Sequence, residues 1–115
     1  MMPADAYSDI GHWQRDVVVW AAHNFPHDTT ELTVLGLVEE AGEVARAVLK
    51  RRQNIRGTYP EWTDEIKKEC ADVFIKLCHV AGVEGFSLAN AIVNRWAEVS
   101  QRDFIANPKG HGLPE

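Results

Sequence analysis

The chain has 115 residues, enough for one domain with one core, and its 45% hydrophobic and 25% charged content is that of an ordinary soluble globular protein. Seventeen acidic residues against 12 basic ones leave a net charge of −5, which weighs against a general nucleic-acid-binding surface. No apolar run approaches the ~20 residues that a membrane span requires.

Periodicity predicts four helices in a single domain over residues 1–115. The first runs from about Ser8 to Asn24, with Val17, Trp20 and Ala21 on one stripe, and Phe25-Pro26-His27-Asp28 breaks it. Asp28 with Glu31 resembles a capping box, so the second helix is expected from about Thr29 to Arg52. Its apolar stripe is Leu35, Val38, Ala41, Ala45, Val48 and Leu49. Gln53 to Pro60 is a connector, and Pro60 suits the first turn of a third helix over 60–80. There Ile66, Cys70, Val73, Phe74, Leu77 and Val80 form the expected core face. Gly82 and Gly85 are expected to end it, and Ser87 to cap a fourth helix over 87–105. Asn107 to Glu115 reads as an irregular tail. No stretch alternates as a strand would. The fold class is therefore all-α, an antiparallel bundle of four main helices joined by short loops. A 24-residue helix exposes more apolar edge than so small a bundle covers, so association through helix faces is expected.

Two acidic signatures fall on the middle helices. Glu39, Glu40 and Glu43 read E-E-x-x-E, and Glu69 with Asp72 reads E-x-x-D. Residues three apart share a helix face, so each helix offers carboxylates pointing one way. Two such helices packed together make an acidic pocket whose like charges are costly without a cation. A hard divalent ion, Mg²⁺ with Mn²⁺ as a substitute, takes such oxygen ligands. A single Glu-x-x-Glu is ordinarily a solvated surface pair. Here both pairs flank the core stripes. Gly36 and Gly42 also sit inside a helix at a cost of about 1 kcal/mol each relative to Ala, which suits a close approach by another group. Lys50, Lys76, Arg95 and Arg102 recur on the same or nearby faces. Metal-binding carboxylates beside cations suit a nucleoside triphosphate. A di-iron centre normally uses Glu-x-x-His pairs, and none is present. The five histidines have no zinc spacing. Cys70 and Cys78 lie too far apart along one helix to be bridged, and read as buried free thiols.

The order E-E-x-x-E, then E-x-x-D, on helices two and three of a small all-α chain resembles the MazG-like nucleoside triphosphate pyrophosphohydrolases. That superfamily includes dimeric dUTPases and dCTP pyrophosphatases. The strongest local matches are Gly36 to Val44 and Glu69 to Val73. The resemblance implies Mg²⁺-dependent hydrolysis between the α- and β-phosphates and a role in cleansing the nucleotide pool. It implies Glu40, Glu43, Glu69 and Asp72 as metal ligands and Glu39 as a catalytic, water-orienting group. Arg95 and Arg102 are implied as phosphate contacts, with Lys50 as a third. It also implies a homodimer or homotetramer. Trp13 is the first choice for stacking on a base, against core or interface packing as the ordinary role of a tryptophan. Met1 to Gly11 lacks the basic and apolar parts of a secretory leader, so a cytoplasmic enzyme is expected, with no nucleic-acid or membrane partner. A helical module that binds nucleotide without turning it over is the alternative.

Overall fold

The computed structural model describes residues 9–115. Among these the chain is all-helical: α1 is Ile10–Asn24, α2 Thr30–Gln53, α3 Tyr59–Glu84 and α4 Leu88–Val99. The predicted start at Ser8 lies outside the described residues. No described helix is long and apolar enough to cross a membrane.

Side-chain caps set the helix starts. Asp9 accepts from His12 N–H at 2.7 Å, and Ser87 accepts from Asn90 N–H. The cap of α2 is Thr29, whose hydroxyl accepts from Leu32 N–H, and not the Asp28–Glu31 box expected from sequence. The genuine capping box is Thr58 with Glu61, each bonding the other's backbone N–H, with Pro60 in the first turn of α3. Two ends differ from expectation. The third helix continues through Gly82 to Glu84 and stops at Gly85, whose φ of 78° is left-handed. Gly82 is helical and serves the crossing of α1: a Cβ there would lie 2.5 Å from Val18 Cγ2. The fourth helix stops at Val99, not Ile105, because Asp103 competes for the backbone. Its carboxylate accepts from the N–H of Ile105 and of Ala106, and its own N–H donates to the Gly112 carbonyl.

The α2 and α3 helices form an antiparallel hairpin. Arg51 donates to Thr63 near the loop, Glu40 lies level with Asp72, and Gly36 faces Lys76 at the far end. Trp62 seals the loop end by donating its indole N–H to the Ile55 carbonyl. The first helix packs antiparallel on α3, with Val18 at Gly82 and Gln14 bonding both the Phe86 carbonyl and Leu88 N–H. The fourth helix touches α1 and α3 but not α2, and buries no residue.

The buried apolar set is small: Val17, Ala21, Ala47, Cys78 and Ala81. This corrects the expected stripes. On α2, Leu35, Val38, Val48 and Leu49 are exposed, as are Ala41 and Ala45, while Thr33 and Ala47 face inward. On α3, Cys70 and Leu77 are exposed, and the inward side carries Glu69, Cys78 and His79. Trp20 is exposed as well. The hairpin is thus rotated so that the acidic side of each helix faces the other, and the most apolar side of α2 faces outward. The radius of gyration, 17.4 Å, exceeds the ~13 Å of a compact chain of this length.

Candidate metal and nucleotide site

The rotation of the hairpin gathers carboxylates. Oxygen atoms of Glu40, Glu69 and Asp72 all lie within 4.8 Å of one another. The i, i+3 spacing of Glu69 and Asp72 places both on the α2-facing side of α3, and the antiparallel register brings Glu40 to meet them. Glu69 is buried, 6% exposed, and Glu40 and Asp72 are half-buried. Burial pushes the Glu69 carboxyl above the usual carboxylate range, a hydrogen bond with Glu65 adds to this, and the charge of Asp72 adds further. Neither neighbouring lysine forms an ion pair with the trio: Lys68 pairs with Glu65 at 3.5 Å and its charge only partly opposes the rise at Glu69, and Lys67 pairs with Asp64 at 3.8 Å. Three oxygen donors from two rigid helices, crowded and without a paired cation, fit a hard divalent ion.

Glu43, one turn nearer the α2–α3 loop, is exposed and stands outside the trio, and Glu39 is also exposed. Lys50 is half-buried ten residues beyond Glu40, about 15 Å along the helix. Arg95 is exposed on α4, where it pairs with Glu98 at 2.7 Å, and Arg102 is half-buried past the end of that helix. The fourth helix does not touch α2, and Arg95 does not line the cleft beside the carboxylates. Trp13 lines an apolar cleft with Asp16, Val17, Trp20 and Ile75 rather than the acidic one.

Beside the trio lies a cleft of about 320 Å³ lined by Trp20, Glu40, Asp72, Ile75, Lys76 and His79. Three of its polar or aromatic side chains, Trp20, Lys76 and His79, have no site role in the sequence pattern. Trp20 walls both this cleft and the one holding Trp13, and meets Phe25 edge-on with ring centroids 5.6 Å apart. His79 is buried, and burial lowers its pKa below the ordinary histidine value, with Lys76 lowering it further and Asp28 opposing. Lys76 was visible as a neighbouring cation but not as part of the site. Glu65 is the fourth missed group. The signal for Glu65, Lys76 and His79 was the i, i+3/i+4 ladder 65–69–72–76–79 along one face of α3, whereas Trp20 lies on α1 outside it. Cys78 is buried, and burial pushes its thiol up, away from the reactive thiolate.

A family model described as the MazG nucleotide pyrophosphohydrolase domain matches residues 28–103, which is most of the chain and includes α2, α3 and α4. No curated protein and no solved structure matches the chain.

Proposed function

The chain belongs to the MazG nucleotide pyrophosphohydrolase domain family, and from that premise we propose that it hydrolyses a (deoxy)nucleoside triphosphate, with Mg²⁺, to the monophosphate and pyrophosphate. The observation that carries the reading is the meeting of Glu40, Glu69 and Asp72 within 4.8 Å across the α2–α3 hairpin. A divalent ion held by these carboxylates supplies charge neutralisation of the triphosphate and a lowered pKa for a bound water. What the protein contributes is placement. Two helices tied at their loop end by the Arg51–Thr63 and Trp62–Ile55 hydrogen bonds hold the donor oxygens in place. The ligand role of Glu43 and the water-orienting role of Glu39 rest on the family motif, since neither carboxylate joins the trio. Trp13 lies before the matched segment, so its base-stacking role rests on its aromatic cleft alone.

The active form is a homodimer or homotetramer. Leu35, Val38, Gly42, Ala45 and Leu49 follow a strict 3–4 spacing along α2, and all are exposed. Among the described residues nothing outside the neighbouring helix backbone lies within 4 Å of a Cβ at Gly42, so the close approach that a mid-helix glycine permits falls to another copy. A second copy is also what brings Lys50, Arg95 and Arg102 into use as phosphate contacts. Removal of triphosphates from the nucleotide pool, in the cytoplasm, is the role we assign to this activity.

The test is calorimetric titration with Mn²⁺ and a nonhydrolysable nucleoside triphosphate. Wild-type protein is expected to bind the ion and then the nucleotide, and Asp72→Asn to lose both. Equal Mn²⁺ binding by the two proteins would remove the trio as the metal centre.

A further inference from the structure

We propose that Lys76 binds a phosphate of the substrate in the cleft beside the carboxylates, and that Gly36 is the residue that leaves room for it; this rests on the nucleotide-hydrolysing reading above. Lys76 follows Asp72 by one turn of α3, and both line the same 320 Å³ cleft with Glu40. Proximity to two carboxylates ordinarily captures a lysine in an ion pair. Among the described residues no carboxylate oxygen lies within the 4.0 Å that would make one with Lys76. Its ammonium is held elsewhere. The side chain reaches across to α2, where Cε and Nζ lie 3.2 Å from the place a Cβ at Gly36 would occupy, and Nζ sits 5.6 Å over the Phe25 ring. Gly36 precedes Glu40 by one turn, on the order of 6 Å of rise. The cleft is therefore lined by two carboxylates and by a half-buried lysine whose ammonium makes no ion pair among the described residues. An anion bridging a divalent ion and an ammonium fits such a gap, and the terminal oxygens of a triphosphate have that chemistry.

This also explains one of the two mid-helix glycines. Any larger residue at 36 would crowd the end of the lysine side chain, whereas a Cβ at Gly42 meets no side chain of the described residues within 4 Å. Lys76 is thus the phosphate contact that one chain supplies by itself, distinct from the cations that stand apart from the trio.

The experiment compares Lys76→Met, Lys76→Arg and Gly36→Ala with wild type. It reads the affinity for a nonhydrolysable nucleoside triphosphate in Mn²⁺, the KM and kcat for a hydrolysed triphosphate, and Mn²⁺ affinity without nucleotide. Methionine keeps most of the apolar stem over Phe25 and removes the charge. The expected result is nucleotide affinity weakened at least tenfold by Lys76→Met and less by Lys76→Arg, with Mn²⁺ affinity within twofold of wild type. Gly36→Ala is expected to raise KM in the same direction while helix content is kept. Wild-type protein that binds and hydrolyses triphosphate, with Lys76→Met within twofold of it in affinity and KM, overturns the assignment and leaves the family reading intact. Wild-type protein that binds no triphosphate overturns both.

Discussion

Gly82 lies in the last turn of α3, two residues before its end at Glu84, and the packing of α1 gives it a measurable role. Replacement by alanine puts a methyl 2.5 Å from Val18 Cγ2, against a comfortable carbon–carbon separation of about 3.5–4.0 Å. Overpacking of this kind costs about 1–3 kcal/mol. Alanine also returns up to about 1 kcal/mol of helix propensity. Gly82→Ala is therefore expected to lose about 1 kcal/mol net. Val18→Ala deletes Cγ2 and leaves Val18 Cβ 3.6 Å away, an ordinary contact. In that background the same glycine substitution is expected to gain about 1 kcal/mol, the propensity alone. The sign reverses, and the coupling between the two positions is the packing cost. Urea midpoints at one fixed protein concentration, with unchanged slopes, measure it. A Gly82→Ala effect of the same sign and size in both backgrounds would refute the α1–α3 crossing at this residue.

Three further outcomes follow. Thr58→Ala removes the hydroxyl that caps α3 and should cost about 1 kcal/mol by the same urea assay, with little change in hydrolysis. His79 is buried beside Lys76, Asp28 and the cleft carboxylates Glu40 and Asp72, and its pKa is depressed. The unfolded chain takes up a proton near the ordinary value of 6.5 while the folded one resists, so stability should fall as pH drops from there through the lower folded value. Above that window His79 adds no slope; His79→Gln should flatten the acid side, and an unchanged stability–pH profile in that variant would contradict the assignment. Val38→Glu places a charge in the exposed seam of α2 and should weaken self-association at least tenfold by light scattering, whereas Glu31→Gln at the start of that helix should leave it unchanged.

The four helices were legible because their punctuation is local. Pro60, Ser87 and the Phe25–Asp28 break act through backbone and neighbouring side chains alone, and they fall where expected. Helix ends set by distant contacts were not legible. Gly82 reads as a stop signal until Val18 is seen against it, and α4 reads as continuing until Asp103 reaches toward Gly112. The core stripes misled for a related reason. Apolar periodicity reports which side of a helix is dry, not which partner dries it. On α2 the drier side faces away from the rest of the chain. For the site, spacing put the Glu39–Glu40–Glu43 and Glu69–Asp72 carboxylates on two helix faces, and the structure brings only Glu40 of the first group to Glu69 and Asp72. Lys76 needed the structure, since its role depends on a glycine 40 positions earlier that faces it across the hairpin.

Release of pyrophosphate from a panel of nucleoside and deoxynucleoside triphosphates in Mg²⁺, for wild type beside Glu69→Gln, tests the central claim most directly. Modified bases belong in the panel, because base identity is the widest open choice. The account predicts pyrophosphate and the monophosphate in equal amounts from at least one substrate, abolished by chelation and by Glu69→Gln while the helical spectrum is kept. Release of single phosphates, no turnover of any triphosphate by wild-type protein, or a Glu69→Gln variant as active as wild type would contradict it.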